Sequence, residues 1–310
     1  MRVLIAENDY PLYTRLLQKA APGLEILSSG DSAQLSQMAA DCPVWLGQPD
    51  LLATLLRQGH TPRWVQSTWA GITPLLAEGV PRDYRLSRAV GIFGQVMAEY
   101  VLTYMLGHER EVMARLVSQV ERKWDGRLGQ SLVGRKVLIV GAGDIGQTVA
   151  QFLQPFGVET YAIASRVREL APFKEVGVLS DLPRLVGQMD YVVNLLPNTP
   201  DTHDLYDAEL FALFNPTGVF INAGRGVAVV DADLVEALRL GHLAGAVIDV
   251  CRQEPLPAKH PFWTAWGLLL TGHSSAPTSP PMMVQLFVEN LSAYQQGQPL
   301  RGEVDFERGY

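Results

Sequence analysis

Cysteine is scarce in this chain, because its 310 residues include only Cys42 and Cys251. Two cysteines so far apart exclude a dense disulfide framework, and their spacing matches no cysteine-based metal site. The first apolar stretch meets Glu7 and Asp9 too early to form the core of a secretory signal peptide. We therefore expect a cytoplasmic protein without a bound metal.

An excess of basic residues and long apolar runs are also missing. The formal net charge is -7 and the pI is near 5.4, whereas nucleic acids and anionic membranes attract basic surfaces. No uninterrupted apolar run approaches the roughly 18 residues that a membrane-spanning helix requires. We expect no nucleic-acid partner and no membrane partner. Hydrophobic residues make up 47% of the chain, enough for each of two domains to bury a core.

Short apolar strands alternate with amphipathic stretches in the first third of the chain, which is typical of a parallel sheet covered by helices. The predicted strands are residues 2–6, 24–27, 44–46 and 64–66, and the predicted helices are 10–19, 31–40 and 50–59. One long helical run is then predicted over residues 95–119, because apolar residues recur there at three- and four-residue spacing. We expect its apolar face to lie in a core or a subunit interface.

Six further strands are predicted at residues 137–140, 160–163, 191–195, 219–222, 246–250 and 268–270. Six strands after one glycine turn is the number that a doubly wound nucleotide fold needs. The tail from residue 280 is too short to fold alone. We therefore predict an α/β protein in which a Rossmann-type doubly wound parallel sheet domain, residues 95–274, is inserted in a smaller flavodoxin-like α/β substrate domain, residues 1–94 and 275–310.

Three glycines with dinucleotide-binding spacing follow the strand at 137–140 directly, in the run Gly141-Ala142-Gly143-Asp144-Ile145-Gly146. Such glycines permit a tight turn, close approach of the backbone to a pyrophosphate, and close packing of helix on strand. The helix that follows directs free backbone amides and the positive end of its dipole at the phosphates. We expect the cofactor to contact Gly141, Gly143, Asp144, Ile145 and Gly146.

An acidic residue is absent from the end of the second strand of this unit, where a cofactor with an unphosphorylated ribose usually meets one. Ser165 and Arg166 stand there instead, and Arg168 follows. A hydroxyl and a guanidinium suit a 2′-phosphate, so the sequence predicts that NADP(H) is preferred over NAD(H). In the alternative, Arg166 is a solvated loop residue beside an ordinary NAD(H) pocket.

An arginine, a glutamate and a histidine, Arg225, Glu254 and His273, each follow a different predicted strand. Reduction of a 2-oxo acid requires that its carboxylate be gripped and that its carbonyl oxygen receive a proton. A guanidinium can bind the carboxylate, a histidine can donate the proton, and a glutamate can hold the protonated ring. Each residue alone suits a surface ion pair or a capped loop equally well, but together they favour a catalytic set.

These motifs resemble the D-isomer-specific 2-hydroxyacid dehydrogenase family over nearly the whole chain. The segments that carry the resemblance are Asn222-Ala223-Gly224-Arg225-Gly226, Asp249-Val250-Cys251-Arg252-Gln253-Glu254-Pro255-Leu256-Pro257 and Thr271-Gly272-His273. The resemblance implies catalytic roles for Arg225, Glu254 and His273, with Arg225 also binding the substrate. It further implies a homodimer built on the nucleotide domain, with the helix at Gln95 in the interface.

Other site residues are implied by the resemblance alone. The Trp69-Ala70-Gly71 segment is similar to the loop whose backbone amides hold the substrate carboxylate, so Ala70 and Gly71 are expected to bind substrate. The loop from Leu196 to Thr202 is similar to the one beside the nicotinamide ribose. The cofactor contacts implied in this way are Leu196, Pro197, Thr202, Ala223 and Asp249.

The Ser165-Arg166 strand end and the terminal residues 304–310 resemble the NADPH-dependent glyoxylate/hydroxypyruvate reductase branch of the family. That branch implies reduction of a small 2-oxo acid to the 2-hydroxy acid. The alternatives are reduction of a larger 2-oxo acid or of a phosphoglycerate-type substrate, and a non-catalytic NAD(P)-sensing scaffold like the related corepressors. Gly272 replaces the proline that is usual before the histidine, which predicts a looser loop.

Overall fold

A computed structural model describes residues 1–307 of the protein. The chain divides into two compact units. One unit is formed by residues 1–92 together with the residues from 278 onward, and the other by residues 93–277. The boundaries expected from the sequence were 94/95 and 274/275. The last three residues of the terminal segment 304–310 lie outside the described residues.

The first unit is a five-stranded parallel sheet with the order β2-β1-β3-β4-β5, which is the flavodoxin-like order. Its strands are β1 Arg2–Ala6, β2 Glu25–Ser29, β3 Val44–Gly47, β4 Trp64–Ser67 and β5 Arg85–Ser87. Its helices are α1 Tyr10–Ala20, α2 Ser32–Ala39, α3 Pro49–Arg57, α4 Thr73–Leu76 and α11 Pro280–Gln295. Strand β5 is only three residues long and was not predicted.

The second unit is a seven-stranded parallel sheet with the order β12-β11-β10-β9-β6-β7-β8. Its strands are β6 Lys136–Val140, β7 Glu159–Ile163, β8 Val176–Gly177, β9 Tyr191–Asn194, β10 Val219–Asn222, β11 Gly245–Ile248 and β12 Leu268–Leu270. Its helices are α5 Gly94–Glu109, α6 Val112–Val120, α7 Asp144–Leu153, α8 Leu182–Val186, α9 Ala208–Phe211 and α10 Asp231–Leu240. The doubly wound parallel fold expected from the sequence is confirmed.

Strand β6, in the interior of the second sheet, is buried on both faces. Leu138 and Val140 belong to one apolar core, whereas Val137 and Ile139 belong to the core on the other side of the sheet. A parallel strand covered by helices on both faces reads as a continuous aliphatic run, which is why Val137 to Val140 shows no polar alternation. The sheet therefore provides a rigid base for the loops at its edges.

The prediction of a single long helix over residues 95–119 is wrong, because the structure has two helices with a break at Arg110 and Glu111. Glu111 has a φ of 51°, which no helix accommodates. The apolar face of α5, with Met97, Val101 and Met105, is buried in the core. Among residues 1–307, no helix has the length and apolar character needed to cross a membrane.

Candidate active site

The carboxyl ends of all strands in the second unit lie at one edge, because the sheet is parallel. β6 pairs with β7 on one side and with β9 on the other, so the strand order reverses at β6. Ligands of open α/β sheets bind outside the carboxyl ends of the strands at such a reversal. The glycine turn follows β6 and the loop from Leu196 to Thr202 follows β9, so both border this position.

The three glycines of the turn differ in which atoms lie near the position that a Cβ atom would occupy. Gly141 has a φ of 116°, and a Cβ on it would lie 3.1 Å from the carbonyl carbon of Leu195. A Cβ on Gly146 would lie only 2.2 Å from the carbonyl oxygen of Gly141. A Cβ on Gly143, at the N-terminus of α7, would enter open space. Gly141 and Gly146 thus permit close packing, while Gly143 leaves room beside the first amides of α7, as a bound pyrophosphate requires.

A basic loop follows β7, at the position where the sequence predicts that the ribose end of the cofactor binds. Ser165, Arg166 and Arg168 are exposed. Arg168 Nη2 donates a hydrogen bond to the carbonyl oxygen of Ala142 at 3.4 Å, so this loop lies against the glycine turn. The donor set of a hydroxyl and two guanidinium groups fits a phosphate better than an unmodified ribose diol.

Two fully buried asparagines, which the sequence analysis missed, end the adjacent strands β9 and β10 in register. Asn194 Nδ2 donates to Asn222 Oδ1 at 2.9 Å, and Asn194 Oδ1 accepts the backbone N–H of Leu196. Asn222 Oδ1 also accepts the N–H of Gly224, and Asn222 Nδ2 donates to the carbonyl oxygen of Arg225. The pair therefore fixes the starts of two site loops, and the signal for it was a polar residue at the end of each apolar strand.

Thr202 is buried rather than open at the surface of its loop. Its hydroxyl donates to the carbonyl oxygen of Pro197 at 2.7 Å and accepts the backbone N–H of Thr199 at 2.9 Å. Leu196 is half-buried and Pro197 is exposed. Of the three predicted residues in this loop, Thr202 holds the loop in shape while Leu196 and Pro197 border the space beside it.

Arg225 follows β10 on a turn packed tightly against its neighbour. A Cβ on Gly226 would lie 2.0 Å from the carbonyl carbon of Cys251, so only glycine allows the two backbones to approach this closely. Arg225 is half-buried, and its Nη1 donates to the carbonyl oxygen of Gly224 at 2.6 Å. Ala223, before it, is buried, and its N–H donates to the carbonyl oxygen of Asn194. The turn that carries Arg225 thus lies directly against the turn that leads to Glu254.

Glu254 and His273 are brought together from the turns after β11 and β12. His273 Nδ1 lies 2.7 Å from Glu254 Oε2, and the backbone N–H of Cys251 donates to Glu254 Oε1 at 2.8 Å. A carboxylate at Nδ1 favours a ring that donates from that nitrogen, which leaves Nε2 to exchange a proton with a bound molecule. The pair is partly open to solvent, with 55% of the His273 side chain and 36% of the Glu254 side chain exposed.

Asp249 is 1% exposed and organises the loop that carries the histidine. Its Oδ1 accepts the hydroxyl of Thr271 at 2.6 Å and the N–H of Ser274 at 2.8 Å, and its Oδ2 accepts the N–H of Ser275 at 3.1 Å. Its backbone carbonyl accepts the N–H of His273 at 2.6 Å. Four hydrogen bonds to one residue thus hold this loop, and the loosening expected from Gly272 stays a prediction.

The Trp69-Ala70-Gly71 segment follows β4 in the first unit. Ser67 Oγ accepts the N–H of Trp69 and donates to its carbonyl oxygen, both at 3.1 Å. The hydroxyl of Thr68 donates to the buried carboxyl group of Glu7, whose pKa is raised by burial. Ala70 and Gly71 are half-buried. The segment is therefore a well-anchored turn at the carboxyl edge of its own sheet.

Residues 1–307 contain no cluster of three or more His, Cys, Asp or Glu side chains arranged to hold a metal ion. Both cysteines are free thiols. Burial raises the pKa of the Cys251 thiol to about 11, so it stays protonated near neutral pH. The side chains at this edge that can bind an anion or exchange a proton include Arg225, Glu254 and His273.

Comparison with known proteins gives a consistent result. The model of the D-isomer specific 2-hydroxyacid dehydrogenase NAD binding domain matches residues 102–275. Glyoxylate/hydroxypyruvate reductase A of Klebsiella pneumoniae (strain 342) is 30% identical over an alignment of 316 residues that covers 97% of each chain.

Solved structures agree with this. A D-isomer specific 2-hydroxyacid dehydrogenase family protein from Aeromonas salmonicida is 37% identical, with a TM-score of 0.93 and coverage of 98% of this chain and 99% of that one. An NADPH-dependent glyoxylate/hydroxypyruvate reductase from Sinorhizobium meliloti, solved with NADP and sulfate, is 28% identical, with a TM-score of 0.88 and coverage of 100% and 99%. The chain is an NAD(P)-dependent oxidoreductase and belongs to the D-isomer-specific 2-hydroxyacid dehydrogenase family.

Proposed function

We propose that this protein reduces a small 2-oxo acid, glyoxylate or hydroxypyruvate, to glycolate or D-glycerate with NADPH as the reductant. The observation that carries the proposal is the His273–Glu254 pair, 2.7 Å apart, at the same sheet edge as the glycine turn. The names of the relatives from Klebsiella pneumoniae and Sinorhizobium meliloti support the choice of substrate.

The proposed roles follow from the side chains. The dinucleotide, when bound, supplies the hydride to the carbonyl carbon. His273 Nε2 donates the proton to the carbonyl oxygen, and Glu254 holds the imidazole in place through Nδ1. Arg225 binds the substrate carboxylate and polarises the carbonyl oxygen. The backbone amides of Ala70 and Gly71, in the first unit, are proposed as further substrate contacts.

The proposed cofactor site uses the glycine turn for the pyrophosphate and the basic loop after β7 for the 2′-phosphate. Exposed Arg166 and the Arg168 bond to Ala142 support a preference for NADP(H), with NAD(H) as a slower alternative. The proposed contacts are Gly141, Gly143, Asp144, Ile145, Gly146, Ser165, Arg166, Leu196, Pro197, Thr202, Ala223 and Asp249. Asp249 and Thr202 act mainly by shaping their loops, since their polar atoms already bond the backbone.

The test is the rate of NADPH oxidation with a panel of glyoxylate, hydroxypyruvate, pyruvate, 3-phosphohydroxypyruvate and bulkier 2-oxo acids, repeated with NADH. We expect the highest kcat/KM with glyoxylate or hydroxypyruvate and with NADPH. A higher kcat/KM with a bulky or phosphorylated acid would replace the proposed substrate. NADPH binding without turnover of any acid would favour the scaffold alternative, and a clear preference for NADH would contradict the role of the basic loop.

We also propose that the protein is a homodimer whose interface includes α6. The structure buries none of the residues of this helix. Its apolar residues recur on one face and are 44% to 84% exposed, a stripe formed by Val112, Met113, Leu116, Val117 and Val120. A contiguous exposed apolar stripe favours association, and a second copy of the chain presents a matching stripe. The interface expected on the helix predicted at residues 95–119 is placed on its second part, α6, in this proposal.

A further inference from the structure

Arg252 lies between β11 and Glu254, and its side chain reaches away from its own turn. Arg252 Nε donates to the carbonyl oxygen of Val229 at 2.6 Å, and Nη2 donates to that of Val227 at 3.2 Å. Nη2 also pairs with the carboxylate of Asp204. One guanidinium therefore connects three loops at the carboxyl edge of the sheet.

The carbonyl groups that Arg252 binds belong to the turn that carries Arg225. Gly226 begins the short helical turn that contains Val227, and its Cα approaches the backbone of Cys251 so closely that no side chain fits. The Arg225 turn and the Glu254 turn thus meet twice, once by backbone packing and once through the Arg252 side chain. Backbone packing resists approach of the two turns, whereas the hydrogen bonds of Arg252 resist their separation.

The orientation of Glu254 depends on this turn. Its Oε1 accepts the N–H of Cys251, the residue directly before Arg252, while its Oε2 holds His273 Nδ1. A shift of the segment from Cys251 to Glu254 would therefore lengthen the bond that orients the proposed proton donor. Misplacement of a reacting group by about 1 Å can lower a rate by as much as about 10²-fold.

We propose that Arg252 is a positioning residue that locks the Arg225 turn to the Glu254 turn, so that the carboxylate-binding group and the proton donor keep a fixed geometry. This inference rests on the proposed function of Arg225, Glu254 and His273. Arg252 itself acts through the two turns and need not touch the substrate or the cofactor.

The bonds to the two carbonyl groups carry this effect rather than the ion pair. Asp204 is 48% exposed on its side chain and is shared with His203, whose Nδ1 lies 3.1 Å from its other oxygen. Exposed ion pairs contribute little free energy. Asp231, 3.8 Å from Arg252 Nε, is itself paired with His260 Nε2 at 3.2 Å. Asp204 is already half exposed to solvent, so the loss of Arg252 removes chiefly the link between the turns.

The experiment compares Arg252→Gln and Arg252→Lys with two controls. Asp204→Asn removes the ion pair while keeping a residue that tolerates the positive φ of this position. Arg239→Gln removes an exposed arginine of the same unit that pairs with the nearby Glu236 on its own helix. kcat, KM and the pH profile of kcat are measured with NADPH and glyoxylate, together with hydrogen exchange of the peptides that cover residues 226–230 and 250–257.

We expect Arg252→Gln to lower kcat about 10-fold, with the KM for NADPH within about twofold, and to change the pH profile of kcat. Exchange should become faster in both peptides, Arg252→Lys should recover part of the loss, and both controls should behave like the wild type. An unchanged pH profile in Arg252→Gln, with only less active protein, would overturn the proposal, as would unchanged exchange.

The exchange measurement also separates this inference from the proposed function. If the wild-type protein reduces none of the acids, the proposed function fails, and exchange at 226–230 and 250–257 still decides whether Arg252 joins the two turns. If the wild type is active and Arg252→Gln matches it in pH profile and exchange, the inference alone fails.

Discussion

Gly272 and His273 both lie in the left-handed region, with φ of 66° and 57°. A side chain costs about 1–2 kcal/mol in this region, and proline cannot enter it because its ring fixes φ near about -65°. We expect Gly272→Pro to lower kcat at least about 10-fold, because the changed backbone would pull the loop from Asp249. Gly272→Ala, the matched control, should cost less. Steady-state kinetics with circular dichroism tests this, and a proline variant with wild-type kcat would contradict it.

His273 carries the proton in the proposed reaction. We expect His273→Ala to lower kcat by about 10²- to 10⁴-fold, the usual contribution of a positioned acid, with NADPH binding nearly intact by fluorescence titration. His242→Ala, just after α10, is the matched histidine control and should retain wild-type kinetics. A His273→Ala variant that turns over at the wild-type rate would remove the role proposed for this residue.

Arg225 should show a different kinetic signature. Because it binds the substrate carboxylate in both the ground state and the transition state, Arg225→Ala should raise KM for the 2-oxo acid and lower kcat together. Arg239→Ala, an exposed arginine on α10, serves as its control. Steady-state kinetics at saturating NADPH measures both constants, and an unchanged KM would show that the carboxylate is held elsewhere.

At the scale of elements, β5 is joined to the C-terminal segment by Arg85. Its Nε and Nη2 donate to the two carboxylate oxygens of Glu303 at 2.7 and 2.9 Å, and the N–H of Leu300 donates to the same group. The pKa of Glu303 lies below its usual value, and the hydrogen bonds from Arg85 are the largest cause. The sequence offered no reason to pair these residues, because 217 residues separate them along the chain, from position 86 to position 302.

This ion pair predicts a pH dependence of stability. A carboxylate whose pKa is lowered by folding stabilises the fold above its unfolded-state pKa, and the contribution is lost as the pH falls through the folded-state value. Both side chains are about one-third exposed, so we expect Glu303→Gln to lower the free energy of unfolding by no more than about 1 kcal/mol near neutral pH. Urea denaturation should show this difference shrinking below about pH 4. The exposed Glu78→Gln is the control, and a difference that persists in acid would contradict the assignment.

The break between α5 and α6 shows which features of an element escape sequence reasoning. Neither glycine nor proline marks it, and Glu111 adopts a left-handed φ. The break is held by distant partners, because Arg127 pairs with Glu111, and Arg135 and Tyr191 bind the buried carboxylate of Glu109. The apolar periodicity correctly predicted helix on both sides, but it could not register bonds made 16 to 82 residues away.

At the scale of the molecule, the sequence predicted the two-sheet architecture because it depends on local signals. It predicted the Glu254–His273 pair because both residues stand in recognisable motifs after predicted strands. Buried strands are continuous aliphatic runs, and the glycine turn has a fixed spacing. The short strands β5 and β8, of three and two residues, leave no periodicity to detect. The Asn194–Asn222 pair and the Arg252 contacts depend on which strands become neighbours, and only the folded sheet determines that.

The exposed apolar stripe of α6 makes the proposed homodimer testable. If the α6 stripe is covered by a second copy, the wild type should sediment as a dimer. Leu116→Asp with Val117→Asp should shift it to the monomer, because two carboxylates would be buried in an apolar contact. Leu240→Asp, at an exposed apolar position on α10, is the matched control and should remain dimeric. Analytical ultracentrifugation measures the outcome, and a monomeric wild type or a dimeric double variant would exclude α6 from the interface.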